Sequence, residues 1–333
     1  MIAKNDNYSN KFTNKNIKKH YISLNSRGIS IIDEIRTFFQ LYRIYKSLNS
    51  SLVFHFTIKP NIYGSIICRI LSIKSISFIT GIGHTFIHKN ILQKIIILLY
   101  RFSLSKVNEI WFTNKADKIL FDDLNITRKN KTKIVPGAGI EAPEKIEGYE
   151  HNEKKIFLMV SRLQKEKGVM EYLKCSEKYK DNPNVIFMLI GDSIPSDPSS
   201  ININQIKPYI DNNSIIYKEY QENILEYMKV ASCVVLPSYR EGMSTVLLEA
   251  SMMKRPIITT NVPGCIDIVK DQSYGVLCEA RSELSLIYAV NIFLNLDQKK
   301  IFEMVEKTFD YVNRNFSKKI VLTEYKNSLQ HIK

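Results

Sequence analysis

The segment Pro237-Ser-Tyr-Arg-Glu-Gly-Met-Ser-Thr-Val-Leu-Leu-Glu-Ala250 carries two carboxylates in a pattern suited to a polyhydroxylated ligand. An apolar run ends at Pro237, a short turn carries Glu241 and Gly242, and a helical stretch follows with Glu249. At about 1.5 Å per residue the two carboxylates stand roughly 12 Å apart along the helix direction. The unpaired N–H groups at the start of such a helix form a site for phosphate. Carboxylates accept hydrogen bonds from vicinal sugar hydroxyls. A nucleotide-sugar has this layout: sugar, diphosphate, ribose. The plainer alternative is a helix whose first glutamate favours the macrodipole and whose second is merely solvated. The strand–loop–helix setting weighs against it.

A second segment, Ser161-Arg-Leu-Gln-Lys-Glu-Lys-Gly168, directly follows the apolar run Ile156–Val160. Arg162 and Lys167 there could clasp a diphosphate and neutralise it as it departs. Alone, such a loop reads equally as a solvated basic turn; its place after the first strand of its series raises it.

Around these loops short β-rich runs alternate with longer helical ones, which implies parallel α/β architecture. In the first half the expected strands are His20–Leu24, Leu52–Thr57, Ile76–Thr80, Glu109–Thr113 and Lys133–Pro136. The expected helices are Ile31–Leu48, Tyr63–Leu71, Lys89–Leu104 and Lys115–Asp122. A polar, glutamate-rich stretch, 142–154, reads as a hinge. A second series follows, with strands Ile156–Val160, Val185–Ile190, Ile215–Tyr217, Cys233–Pro237 and Pro256–Thr260. Its helices are Gly168–Tyr179, Asn223–Val230 and Met243–Met253, and C-terminal helices follow the last strand. The economical arrangement is an α/β chain of two doubly wound, Rossmann-like domains facing across a cleft. The domains are 1–141 and 155–315, with 316–333 a C-terminal helix that packs back on the first. Ligands of such sheets bind outside the carboxyl ends of the strands.

The combination of the Ser161–Gly168 and Pro237–Ala250 segments with Pro256-Ile-Ile-Thr-Thr-Asn-Val-Pro-Gly-Cys265 resembles glycosyltransferase family 4. It resembles in particular the branch that builds bacterial surface polysaccharides and glycans on lipid carriers. His55-Phe-Thr-Ile-Lys-Pro-Asn-Ile-Tyr-Gly64 and Thr80-Gly-Ile-Gly83 are similar to that branch's N-domain motifs. The resemblance implies a GT-B fold, metal-independent transfer and retention of anomeric configuration. Carried over, Glu241 holds donor-sugar hydroxyls with the backbone of Gly242 and Met243. Arg162 and Lys167 hold the diphosphate, Glu249 the ribose, and Tyr217, Lys218 and Glu219 line the base pocket. Gly137, Gly139 and Gly81 lie near the cleft. The resemblance further implies a UDP-sugar donor, no cofactor, and a polyprenyl-diphosphate-linked or oligosaccharide acceptor. It names no catalytic base. The family often places a histidine where this chain has Gly81; His84, three residues on, is the candidate for that role, with a bystander as the alternative.

Other departures are visible. Ser244-Thr245 replaces a frequent Pro-Arg, Lys254 a glycine, and Ile266-Asp267 an Arg-Glu pair. The first residues resemble the tail of the family's second strand, so a first strand and helix are expected to be missing from the first domain. The alternative function is therefore a donor-binding remnant without activity. No D-x-D flanked by a strand is present, and Asp122-Asp123 reads as a solvated pair rather than a metal site.

Charge adds a further expectation. The formal net charge is +14, and all of the excess lies in the first 140 residues, with 22 Lys and Arg against 7 Asp and Glu. This suggests a phosphate-bearing partner, either nucleic acid or an anionic membrane surface. No helix-turn-helix, zinc or RNA-binding signature supports nucleic acid. The helix around residues 89–106 reads either as a core helix or as a basic, aromatic-tipped face lying on a membrane. Lys59 and Asn61, after a strand end, are candidate acceptor contacts or a solvated loop. The five cysteines, without a C-x-x-C pair, read as reduced thiols. The absence of a signal h-region and of a long apolar run places the expected site in the cytoplasm, peripheral on the inner membrane face.

Overall fold

The computed structural model describes residues 1–4, 14, 16–23, 30–82, 91–127, 130–143, 146, 148–149, 153–195 and 197–332. They form two compact units, Met1–Val135 with His331–Lys333, and Pro136–Gln330.

In unit 1, strands β1 (Ile2–Lys4) and β2 (His20–Ile22) pair in parallel as a two-stranded sheet. Strands β3 (Leu52–Phe56), β4 (Lys74–Ile79), β5 (Glu109–Phe112) and β6 (Lys131–Ile134) form a parallel sheet in chain order. Helix α1 (Ile31–Leu48) starts where Ser30 caps the Asp33 N–H and stops at Asn49, whose φ is +44°. Helix α2 (Ile58–Ile70) begins five residues ahead of the expected Tyr63. Pro60 in its first turn, where no intrahelical N–H is needed, lies within a helix rather than a loop. Helices α3 (Ile91–Ser103) and α4 (Lys115–Asp123) complete the unit.

The His55–Gly64 motif is structural at both ends. His55 is buried beneath Gly64, where a Cβ would stand 2.4 Å from the ring Nε2. The Tyr45 hydroxyl lies 3.1 Å from the same nitrogen, and burial pushes the imidazole down to about 4.

Unit 2 is a six-stranded parallel sheet in the order β12-β11-β10-β7-β8-β9. Its strands are β7 (Lys155–Val160), β8 (Val185–Ile190), β9 (Ile216–Lys218), β10 (Cys233–Leu236), β11 (Ile257–Thr260) and β12 (Val276–Cys278). Helices α5 (Val169–Glu177), α6 (Ile203–Asp211), α7 (Leu225–Val230), α8 (Thr245–Met252), α9 (Glu283–Leu294) and α10 (Gln298–Phe316) accompany it, and α11 (Lys318–Ile332) follows them in the chain. The near-continuous apolar runs of β7, β8 and β10 are those of strands covered on both faces. Phe157, Phe187 and Phe293 pack together among them.

Two elements, α6 and β12, lie outside the expected pattern. Pro208 inside α6 argues against a helix by composition, yet Asn202 and Gln205 form a capping box at its start. The units divide six residues ahead of the expected 141/142. Ile140 donates to the Phe316 carbonyl and accepts from Lys318 N, each at 2.9 Å, so this segment belongs to unit 2. Of the expected hinge, Gly148 accepts from Arg255 Nη2 at 3.0 Å and Tyr149 packs on the unit 2 core. Helix α11 ends in unit 1, where Lys74 Nζ donates to the Ile332 carbonyl. All five cysteines are buried and free.

Candidate active site

In unit 2 the chain builds outward from β7 through β8 to β9, then returns to lay β10, β11 and β12 on the other side. Strands β7 and β10 are therefore parallel neighbours at the point where the winding reverses, the ligand site of open α/β sheets. The Ser161–Gly168 loop leaves the end of β7 and the Pro237–Gly242 loop leaves the end of β10. Both sequence motifs thus meet at the switch point.

The two loops are joined at several places. Lys167 Nζ donates to Glu241 Oε1 at 2.6 Å, the lysine side chain 21% exposed and the glutamate 9%. Ser238 Oγ donates to the same oxygen at 2.7 Å. Tyr239 N donates to the Glu166 carbonyl at 2.8 Å, and its hydroxyl to Glu171 Oε1 at 2.7 Å. The Arg281 guanidinium stacks over the Tyr239 ring at 4.9 Å. Two glycines let the backbones approach. Gly168, at φ +74°, would place a Cβ 2.1 Å from the Pro237 carbonyl oxygen. Gly264, at φ +83°, would place one 2.4 Å from that of Glu241. Glu241 N in turn donates to the Pro263 carbonyl at 3.1 Å. The Pro263-Gly264 turn therefore holds the backbone of Glu241 from behind.

Helix α8 begins at Thr245, later than expected, because Ser244 takes the N-cap and accepts from Leu247 N at 3.3 Å. Glu241 consequently sits on the loop, and the separation reckoned along a helix does not describe the two carboxylates. The Pro-to-Ser departure at 244 supplies its own helix start. Glu249, one turn into α8, is half-buried, and burial pushes its carboxyl up to about 7. Among the described residues no counter-charge offsets that burial. Lys254, the position where the family resemblance leads one to expect glycine, occupies the left-handed region at φ +52° and pairs with Glu306 at 2.7 Å.

Arg162 is exposed at the mouth of the β7 loop. Tyr217 and Lys218 are half-buried in β9 and Glu219 is exposed just beyond it. The Tyr217 hydroxyl donates to the Gly191 carbonyl at 3.0 Å, and Gly191 packs against the Ser161 carbonyl. The expected base-pocket strand is thus tied to the β7 loop. Gly137, at φ +59°, faces Met243, whose Cγ would be 3.6 Å from a Cβ there. Gly139 abuts the Lys318 backbone instead.

In unit 1, Gly81 follows the end of β4, and His84 lies outside the described residues. Lys59 and Asn61 are on the first turn of α2 rather than on a loop. Lys59 forms an ion pair with Glu34, which also accepts from the Tyr63 hydroxyl at 2.7 Å. Asn61 is 1% exposed and donates to the Phe78 carbonyl at 2.9 Å, a core position rather than a surface contact. Helix α3 is not the core helix of the plainer expectation. Ile91, Ile95, Leu98 and Phe102 are exposed while Tyr100 and Ser103 are buried. Arg101 turns inward to the Leu124 carbonyl at 2.7 Å, so it does not contribute to the outer basic face. Glu34, Ser238, Tyr239, Glu171, Gly264 and Arg281 are contributors that sequence reading missed. Only Ser238, Tyr239 and Gly264 lay inside motifs already singled out, and their spacing did not reveal what they touch.

Comparison with known proteins agrees with this architecture. Residues 142–308 match the family described as Glycosyl transferases group 1, and residues 2–114 match Glycosyl transferase 4-like. The chain is 22% identical over 317 residues to the N,N'-diacetylbacillosaminyl-diphospho-undecaprenol alpha-1,3-N-acetylgalactosaminyltransferase of Campylobacter jejuni, covering 90% of this chain and 82% of that protein. It is 23% identical over 340 residues to the UDP-Gal:alpha-D-GlcNAc-diphosphoundecaprenol alpha-1,3-galactosyltransferase of Escherichia coli, covering 94% and 86%. The crystal structure of HepE from Anabaena in complex with UDP-glucose superposes with a TM-score of 0.76 at 13% identity, covering 94% of this chain and 86% of that one. Matched in sequence across half its length and in fold across nearly all of it, the chain belongs to the Glycosyl transferases group 1 family and is a family 4 glycosyltransferase of the GT-B fold.

Proposed function

We propose that the protein moves a hexose or N-acetylhexosamine from a UDP-sugar to a polyprenyl-diphosphate-linked or oligosaccharide acceptor in surface-polysaccharide synthesis. Transfer proceeds with retention and without a metal. The observation that carries this is the joining of the two switch-point loops by Lys167 and Glu241, ahead of a helix bearing Glu249. Lys167 has three N–H donors and commits one to Glu241, leaving others for a diphosphate. Arg162 adds a second cation, and together they offset charge on the UDP as it leaves. Glu249 accepts from the ribose. The bond from the anomeric carbon to the diphosphate oxygen breaks as the acceptor oxygen attacks on the same face, and the acceptor's proton passes to the departing phosphate oxygen. Both named relatives make alpha-linked products on diphospho-undecaprenol carriers. UDP-hexoses are themselves alpha-linked, so that outcome corresponds to retention.

A polyprenyl-diphosphate-linked acceptor lies in a membrane, and unit 1 exposes side chains suited to one. Helix α3 exposes Ile91 (76%) and Leu98 (61%), and α1 exposes Ile31 and Ile32 (79%) with Phe39. Exposed Lys94, Arg36 and Arg43 accompany them. Apolar side chains with basic neighbours fit an anionic bilayer surface, here the inner leaflet. Among the described residues no helix is long and apolar enough to cross a membrane. Vesicle sedimentation tests this part; equal binding to anionic and zwitterionic vesicles removes the electrostatic share.

Calorimetry with UDP and a panel of UDP-sugars, on the wild type and on Glu249→Ala, tests the donor site. Saturable binding that Glu249→Ala abolishes is the expected result. A folded wild type that binds none of them overturns the proposal. Binding without transfer to any lipid-linked or oligosaccharide acceptor favours the alternative, a donor-binding protein without activity. The anomeric configuration of an isolated product, read by NMR coupling constants, tests retention.

A further inference from the structure

Ser238 is buried at the end of β10, three residues before Glu241. Its Oγ donates to Glu241 Oε1 at 2.7 Å, and Lys167 Nζ donates to the same oxygen at 2.6 Å. A carboxylate oxygen has about two lone-pair directions, so these two donors fill Oε1. Ser238 is itself held, because its carbonyl accepts from Thr260 Oγ1 in β11. The backbone of Glu241 is fixed independently by Pro263 and Gly264. Neither the main chain nor the first oxygen is left free to turn. Among the described residues no hydrogen bond reaches the second oxygen, Oε2.

We propose that Ser238 is a positioning residue that commits Oε1 of Glu241 to the protein and presents Oε2 alone to the donor sugar. The site then offers a single, directed acceptor rather than a two-oxygen clasp. Such an acceptor distinguishes sugars by where one hydroxyl points, and Ser238 contributes to donor specificity without touching the donor. This rests on the nucleotide-sugar reading of the site. It adds that the sugar's share of the affinity, as distinct from that of UDP, depends on a buried hydroxyl.

The test is calorimetry of UDP and of the preferred UDP-sugar on the wild type, Ser238→Ala and Ser238→Cys, with thermal melts of each. Cysteine fills the space of the lost hydroxyl with a somewhat larger sulfur but is a weak donor, so a loss shared by both variants marks the hydrogen bond rather than a cavity. The expected result is that both variants keep wild-type affinity for UDP. Both lose about tenfold of the additional affinity that the sugar confers, and discrimination between epimeric UDP-sugars narrows. Variants that retain the sugar increment overturn the proposal, while the nucleotide-sugar reading stands. So does an equal loss of UDP and UDP-sugar affinity, which would show general damage to the loop. If the alanine variant melts far lower, Ser238→Cys alone decides. A wild type that binds neither ligand overturns the underlying reading, and this inference with it.

Discussion

Glu241 and Glu249 come from one short segment and have opposite surroundings. The loop carboxylate is met by a lysine and a serine on one oxygen, and a glycine turn braces its backbone. The helix carboxylate is half-buried with no charge against it among the described residues, and burial raises its pKa to about 7. A charge held by built-in partners is preorganised: it does not reorganise when a ligand arrives. A charge without partners is costly until a ligand supplies hydrogen bonds. The first arrangement suits orientation of a reacting sugar, and the second suits a grip that strengthens on binding.

The largest expected effect comes from breaking the brace. Gly264→Ala places a Cβ against backbone at a positive φ, and a loss of about 3 kcal/mol in denaturant-derived stability is expected, with loss of donor binding. A change below about 1 kcal/mol would show that the loop yields and that Glu241 is not held from behind.

Next is Lys167→Met, which leaves the Glu241 carboxylate without its cation and makes it resemble Glu249. A fall of roughly a hundredfold in kcat/KM is expected from steady-state kinetics. Unchanged kinetics would remove Lys167 from the site.

The pH dependence sharpens the other side of the comparison. Burial raises the Glu249 carboxyl from an ordinary 4.5 to about 7, so the unfolded chain ionises before the folded one. Stability therefore declines as pH rises through that window and levels off above it. Donor affinity moves the other way, because the ionised carboxylate is the stronger acceptor for ribose hydroxyls. Glu249→Gln flattens both slopes; urea midpoints and calorimetry on either side of the window measure them. Identical slopes in wild type and variant would assign the pH response to another group.

The smallest effect is expected from Tyr239→Phe, which removes one hydrogen bond from the β10 loop to Glu171 in α5. About 1 kcal/mol of stability is at stake, with donor affinity nearly unchanged. A large loss of affinity would instead make Tyr239 part of the orientation machinery.

Elements with clear punctuation were legible in the sequence. Helix α1 and strand β8 have the expected bounds, the helix because Ser30 and Asn49 mark its ends. Elements that contradict local propensity were not. Pro60 and Pro208 conceal helices that tertiary packing and capping sustain. Helix α3 shows the limit of periodicity, because an apolar stripe does not say whether it faces a core or the outside.

What the sequence determined by itself was the family, the alternation of strand and helix, and which loops bear the carboxylates and cations. Those follow from residue order, which fixes motif spacing and local propensity. Tertiary structure decided that the two loops share one switch point, and that Lys167 and Ser238 converge on one oxygen of Glu241. It also decided that Asn61 and Arg101 turn inward. Lys167 and Glu241 are 74 positions apart, and only the parallel pairing of β7 with β10 brings them together. The direction of a side chain is set by neighbours that no local pattern encodes.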